Sequence, residues 1–182
     1  MSGSTKPDSA TRARTTLAIA NSIFEGSAGD SLQLFDGRDL SAEPKVSLLI
    51  RHGKAASDAG GTEILTIPIK SFAVPSYVSA LEARGPRKLP IDARKVWGPR
   101  TESEDLTLTL PVGWKAKLPA SDTAMSVFGS YVSEYTQKGQ VLYIARRVTG
   151  AEGVQPASKN DELLAWLKKM SADDAKYVIL EH

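Results

Sequence analysis

One stretch constrains the fold of this chain more than any other, because it carries two alternating apolar and polar runs around a Lys-Gly pair. It reads SYVSEYTQKGQVLYIARR over residues 130–147. Alternation places successive side chains on opposite faces of a strand, and a Gly-containing turn between two such runs predicts an antiparallel β-hairpin. The run DLTLTL at 105–110 alternates likewise and predicts a further strand. The core face of that strand should carry Leu106, Leu108 and Leu110.

Further strands are predicted from shorter apolar runs. These runs occupy residues 31–35, 45–51, 62–70 and 175–180. We expect 45–51 and 62–70 to pair as a hairpin, because the polar, Gly-rich segment between them is typical of a long loop. Pro68 indicates an edge position or a strand end in the second of these runs.

Two helices are predicted, one near each end of the chain. The first covers residues 10–25, and Gly26 is placed to end it. Its apolar face should carry Leu17, Ala20, Ile23 and Phe24. The second begins at Pro156, with Ser158 as the expected N-cap. Its core face should carry Leu163, Leu167 and Met170, at helical spacing.

The sequence therefore predicts an α+β, mainly β protein with antiparallel, β-sandwich-like sheet packing and one helix near each end. We expect a disordered tail over 1–9, an N-terminal helix over 10–27 and a β-rich domain over 28–180. An extended linker at 71–104 would split that domain. Residues 181–182 are interpreted as the remnant of a vector-encoded tag.

Composition excludes several classes of function. The chain has no Cys, which excludes disulfides, thiolate nucleophiles and Cys-ligated zinc. A net charge of +2 gives no basic excess of the kind that nucleic-acid-binding proteins carry. No apolar run approaches the roughly 18 residues of a membrane span. The N-terminus lacks the apolar core of a secretory signal, so we expect either a cytoplasmic protein or a piece of a longer precursor.

No catalytic, cofactor-binding or metal-binding residue is predicted. His52 lies near Ser57 and Asp58 in sequence, but a catalytic triad is assembled by the fold and a lone loop histidine is usually solvated. The acidic clusters are interpreted as solvated residues flanking a strand and a helix, because their spacing fits no calcium loop. These clusters are Glu102, Glu104 and Asp105, and the pair Asp173-Asp174. No glycine-rich stretch matches a phosphate-binding pattern.

Residues 84–100 hold six basic side chains and one acidic one, with Trp97 among them. Such a segment can bind phosphates through its basic side chains and stack a base or a sugar on its aromatic ring. The favoured interpretation of such a charge run is a solvated linker. Trp97 and Trp114 are expected to be buried anchors. If a binding surface exists, its candidate residues are Arg94, Lys95, Trp97, Tyr131 and Tyr135.

Several motifs follow one another in the order found in bacterial transglutaminase-like proteins. They are Arg-x-x-Pro at 87–90, LPxGW at 110–114, FGSY at 128–131, a hairpin ending in Arg146-Arg147, and P-x-S-x-x-x-x-L at 156–163. In this order they resemble the C-terminal β-rich domain of unknown function that follows the transglutaminase-like domain. The resemblance covers about half of the chain well.

The resemblance implies a non-catalytic module that is exported with its parent to the periplasm or cell surface; the residues alone leave a cytoplasmic location open. Its implied partner is the upstream transglutaminase-like domain of the same chain, with a papain-type Cys/His/Asp site. This chain has no Cys, so no catalytic residue of the family carries over.

Three functions stay open at this point, with no cofactor, nucleic acid or membrane insertion expected for any of them. The first is an accessory domain that docks on or orients the enzyme domain. The second is an independent carbohydrate- or protein-binding module that uses Trp97 or the Tyr131/Tyr135 strand face. The third is an unrecognised hydrolase, disfavoured by the two histidines and the absence of Cys.

Overall fold

The structure is a computed structural model that describes residues 9–24, 26–35, 39, 41, 43–51, 53–68 and 74–182, with the backbone alone for 74–77. The chain divides into two compact units, residues 1–57 and 58–182. This boundary precedes the segment 71–104 in which the sequence predicts a linker. Most of the predicted disordered tail, residues 1–8, lies outside the described residues.

The described residues of the first unit form a helix and an antiparallel strand pair. Helix α1 (Ser9–Ile23) packs on strand β1 (Ala28–Leu34), which pairs antiparallel with β2 (Val46–Arg51). The buried residues between them include Thr16, Ala20, Phe24 and Leu32. Leu17, predicted on the apolar face, is instead exposed, because the helix turns Thr16 and Ala20 toward the strand pair.

The predicted pairing of 45–51 with 62–70 is wrong. Strand β2 pairs with β1, β3 (Ala56–Asp58) occupies part of the predicted loop, and β4 (Glu63–Thr66) pairs with the C-terminal strand β12 (Tyr177–Glu181). In that pairing Leu65 lies opposite Val178, and both side chains are buried. Burial of this apolar pair favours the distant partner over the neighbouring one. Pro68 lies beyond the end of β4, as expected.

The described residues of the second unit form two larger antiparallel sheets. One has the order β6–β10–β9–β8, and the other includes β4–β12–β7. The strands of these sheets whose bounds have not yet been given are β6 (Thr101–Thr109), β7 (Lys115–Lys117), β8 (Asp122–Ser126), β9 (Gly129–Lys138) and β10 (Val141–Gly150). Two short strands, β5 (Ile91–Asp92) and β11 (Val154–Gln155), form a separate pair.

The hairpin predicted over residues 130–147 and the strand predicted over 105–110 are confirmed. β9 and β10 pair in continuous register around a turn at Gly139, whose positive φ of 58° suits glycine. β6 pairs along the other side of β10. Leu106 and Leu108 are half-buried on one face, and Leu110 is buried just beyond the strand.

Helix α4 (Asn160–Asp174) builds the main core by packing on the sheet. Leu163, Leu167 and Met170 are buried as predicted. They share a cluster with residues from both hairpin strands and neighbouring segments: Ile91, Ala93, Trp97, Ala124, Phe128, Tyr131, Val148 and Trp166. Ser158 is not the N-cap, because a 3-10 turn over Ala157–Lys159 follows Pro156 and contains it.

The middle of the chain is more structured than the sequence predicted. The sequence predicts an extended linker over 71–104, yet residues 85–100 contain β5 and helix α3 (Ala93–Val96). They are preceded by helix α2 (Val74–Arg84), which packs against α4. The extended interpretation fails because Ile91, Ala93 and Trp97 are buried in the core.

The predicted fold class, mainly β with antiparallel sheets and a helix near each end, is confirmed. The described residues form four α-helices, two more than the sequence predicts. Among the residues that the structure describes, no helix has the length and apolar character needed to cross a membrane.

Replacing Leu167 by Ala tests the packing of α4 on the sheet. The side chain is buried in the core cluster, so its truncation should lower the free energy of unfolding by about 2–5 kcal/mol. Leu89→Ala is the matched control, because Leu89 is 73% exposed and should change stability by less than about 0.5 kcal/mol. Urea unfolding followed by circular dichroism measures both, and equal losses would contradict the packing described.

Candidate functional site

A cleft rimmed by basic side chains lies between α2, α3 and the first half of α4. It consists of two hollows of about 300 and 280 Å³ that share Leu81, Arg84 and Arg87. The first hollow is further lined by Pro90, Ile91, Asp92, Lys95, Val96, Leu163 and Leu167. The second is further lined by Gly85, Pro86, Lys88, Leu89 and Asn160. We refer to the two hollows together as the basic cleft.

Local sequence explains how the basic cleft forms. Helix α2 ends at Arg84 because Gly85 follows it with a positive φ of 67°, and its N–H bonds the carbonyl oxygen of Glu82. Pro86 and Pro90 keep the next residues out of helical structure. Asp92 then caps α3, since its Oδ1 accepts from the Arg94 N–H at 3.1 Å.

Most of the basic side chains around the basic cleft have no ion-pair partner among the described residues. Asp92 is the one acidic residue among the described residues that line it, and the Arg94 guanidinium donates to the Asp92 carboxylate at 3.1 and 3.2 Å. The hydrogen bond from Arg94 holds the pKa of Asp92 below its usual value. Within the described part of the chain, no ion pair engages the other four basic side chains of the rim. These are Arg84, Arg87, Lys88 and Lys95, all exposed.

A second polar cluster is buried at the other end of α4. Asp173 is fully buried, and its carboxylate accepts the hydroxyl groups of Tyr131 at 2.6 Å, Tyr135 at 2.7 Å and Ser133 at 2.9 Å. The guanidinium of Arg146 lies 3.3 Å from Asp173 and donates to Asp174 at 3.1 Å. We call these residues the Asp173 cluster.

The Asp173 cluster keeps its charges although it is buried. Burial alone would raise the pKa of Asp173, but hydrogen bonds from Lys176, Tyr131, Tyr135 and Ser133 outweigh it and hold that pKa below its ordinary value. Burial raises the pKa of Tyr135 to about 12, so its hydroxyl stays protonated and donates. The cluster is a satisfied structural network, in which every hydroxyl is committed to the carboxylate.

Glu104 faces the same cluster from β6 and is poorly satisfied. It lies directly opposite Arg146 in the β6–β10 register, and its Oε2 is buried with no hydrogen-bond partner among the described residues. Burial is the main reason that its pKa rises from 4.5 to about 7; the Arg146 charge opposes the rise, while Asp174 and Glu102 add to it.

The prediction that the acidic clusters are solvated is wrong for Glu104, Asp173 and Asp174. The alternation of β6 turns Glu104 to the half-buried face that also carries Leu106. Asp173 and Asp174 lie inside the last turn of α4, where Arg146 meets them. One feature of the sequence could have indicated this buried cluster. Tyr131, Ser133 and Tyr135 alternate along β9 and so place three hydroxyl groups on one face of the strand.

The five predicted surface residues are divided between two places. Lys95 lines the basic cleft, and the exposed Arg94 beside it is paired with Asp92. Trp97, Tyr131 and Tyr135 are buried, so they offer no exposed ring face for stacking. The structure thus brings only the two basic residues together at a surface.

Two other residues singled out in the sequence lie elsewhere. Trp114 is half-buried, lies outside the core cluster and stacks on the ring of His182, with 4.9 Å between ring centroids, so it is not the buried anchor that the sequence predicts. His52 lies outside the described residues. In the part of the chain that is described, no group of three acidic or histidine side chains is arranged to hold a metal ion.

Comparison with known proteins gives one structural similarity. Neither protein-family profiles nor curated proteins match the chain. The fold resembles part of a protein from Parabacteroides distasonis described as a putative protease, with a TM-score of 0.51 over 68% of this chain and 14% sequence identity. This chain spans 24% of the length of that protein. At such low identity the similarity concerns the fold alone.

Removing the carboxylate of Asp173 tests the buried cluster. Asp173→Ala would leave Arg146 and the hydroxyls of Tyr131 and Tyr135 without their shared acceptor, so the free energy of unfolding should fall by about 3–5 kcal/mol. Glu82→Ala is the control, because it removes an exposed pair with Lys168 worth less than about 1 kcal/mol. Thermal and urea unfolding measure both, and a small effect at Asp173 would refute the description of the cluster.

Glu104 should make stability depend on pH. Its pKa is about 7 in the folded chain and 4.5 ordinarily, so the folded state binds the proton more tightly. Its contribution to stability is therefore complete below pH 4.5 and is lost as the pH rises toward 7. Glu104→Gln should match the wild type at pH 4.5 and exceed its stability by about 1 kcal/mol or more at pH 8.

Urea unfolding at both pH values measures this difference. The matched control is Glu102→Gln on the same strand face, where the carboxylate pairs with Arg100 at 2.6 Å. This control should gain no stability at pH 8. A Glu104→Gln variant that is less stable than the wild type at pH 8 would show that the carboxylate is better satisfied than described.

Proposed function

We propose that this chain is a non-catalytic accessory module of a larger, exported transglutaminase-like protein, and that it docks on or orients the enzyme domain of that protein. The observation that carries the proposal is the similarity of this fold to one part of a much longer protein, of which it spans 24%. A module of this kind contributes binding and orientation, while the reacting groups reside on another part of the parent.

The order of motifs along the sequence supports the same kind of parent. It resembles the order found in transglutaminase-like proteins, whose enzyme domain carries a papain-type Cys/His/Asp site. This chain has no Cys and does not supply thiol chemistry, so the nucleophile of such a parent would lie in another domain.

The surfaces of the second unit favour a protein ligand over a carbohydrate. Trp97, Tyr131 and Tyr135, the aromatic residues considered for a sugar-binding face, are buried. The basic cleft is open instead, with aliphatic side chains on its floor and rim cations that no described residue pairs. An independent protein-binding module is therefore the second candidate function, and export to the periplasm or cell surface is part of the first.

A titration tests docking directly. The parent protein truncated just before this chain is titrated with this chain in a calorimeter, and the proposal predicts a saturable complex of one to one. Because tethering in one chain gives an effective concentration of about 1 mM, a weak contact would still be occupied in the parent, so the titration extends to that concentration. Serum albumin in place of the parent controls for nonspecific heat.

Two results would refute the accessory function. One is the absence of a Cys/His/Asp transglutaminase-like domain in the coding sequence upstream of this chain. The other is the absence of binding up to about 1 mM, with circular dichroism showing that both proteins are folded.

A further inference from the structure

We propose that the basic cleft is the docking site, and that its occupant is an acidic segment of the enzyme domain that inserts an aliphatic side chain into a hollow of the cleft. This inference deepens the accessory function proposed above and rests on it. It adds the surface used, the charge of the partner and the kind of side chain at the centre of the contact.

Charge complementarity argues for an acidic partner. Four rim residues, Arg84, Arg87, Lys88 and Lys95, are exposed and have no ion-pair partner among the described residues. Other basic side chains of the neighbourhood are already paired, as Arg94 is with Asp92 and Lys168 with Glu82. Carboxylates of a partner would neutralise the rim, and surface charges of this kind accelerate association and set its specificity.

The floor of the basic cleft argues for a protein partner. Its apolar lining consists of Leu81, Leu89, Ile91, Val96, Leu163 and Leu167, together with two prolines. Among the residues whose side chains are described, none that lines either hollow is aromatic. Nucleobases are held by stacking on aromatic faces, so a basic site with only aliphatic contacts is poorly suited to nucleic acid. Aliphatic side chains of a peptide fit such a floor.

Size and rigidity agree with a peptide segment. Volumes of about 300 and 280 Å³ lie at the lower end of the range for pockets that enclose a small molecule. Each hollow therefore accommodates a side chain better than a cofactor. Leu89 is exposed and lines the second hollow, and Pro86 and Pro90, which flank it in sequence, restrict the backbone of its segment before binding. Such restriction lowers the entropy lost on association.

Fluorescence anisotropy with short labelled peptides tests the ligand class. The main probe has a central leucine with two glutamates on each side; the comparison probes replace the leucine by serine or the glutamates by lysines. We expect saturable binding of the first probe alone, weakened about tenfold or more between 50 and 500 mM salt. Equal binding of a single-stranded oligothymidylate, or equal binding of the serine probe, would overturn the inference.

Matched charge reversals locate the site. Arg84→Glu with Arg87→Glu should weaken binding of the acidic peptide about tenfold or more, because both residues line both hollows. Lys117→Glu with Lys138→Glu makes the same charge change at exposed positions that line neither hollow, and it should leave the affinity within about twofold. Equal weakening by the two double variants would overturn the inference, since attraction would then follow net charge alone.

The same variants separate this inference from the accessory function. If the truncated parent binds the wild type and Arg84→Glu/Arg87→Glu equally well, docking stands and the basic cleft is refuted as its site. If the acidic peptide binds the cleft while the truncated parent does not bind at all, the accessory function fails and only the ligand class of the cleft is supported. Loss of parent binding in the cleft variant alone supports both. Thermal unfolding of each variant confirms that it is folded.

Discussion

The second unit depends on the burial of one carboxylate. Asp173 is removed from water at the end of α4, and its negative charge is stable there because three hydroxyl groups and a guanidinium surround it. Those donors come from β9 and β10, where Ser133 lies directly opposite Arg146. A one-residue shift in the register of either strand would turn the donors of that strand to the other face of the sheet. The cluster therefore favours a single register for the hairpin and a single position for the helix on it.

The same helix joins the core to the candidate surface. The last turn of α4 carries Asp173, its middle carries core residues, and its first half supplies Leu163 and Leu167 to the floor of the basic cleft. α2, which supplies one rim, packs on α4 and is tied to it by the Lys168–Glu82 pair. The geometry of the cleft is thus set by packing that also stabilises the unit, whereas its charge is set by side chains that contribute little to stability.

Local patterns in the sequence predicted the elements whose formation is local. Alternation gave β6, β9 and β10, and helical spacing gave the buried face of α4. The partner of β4 was missed because strand pairing is decided by distant apolar contacts, here Leu65 with Val178. The buried state of Asp173 was missed because a lone acidic residue is usually solvated, and its partners are far away in sequence. The basic residues of the cleft are visible as a cluster at 84–100, but the aliphatic floor beneath them exists only after α4 has folded.

The central place of β12 in its sheet bears on the order in which the chain can fold during synthesis. β12 lies between β4 and β7, pairing Tyr177 with Thr66 on one side and Ile179 with Lys117 on the other. On the ribosome, β4 and β7 emerge long before the strand that joins them, and closing the intervening loop is entropically costly. This sheet therefore completes late, and topologies with such distant contacts fold slowly. The hairpin of β9 and β10 is closed by a tight turn, so its two strands can pair as soon as both have been synthesised. It can therefore form before the sheet that contains β12.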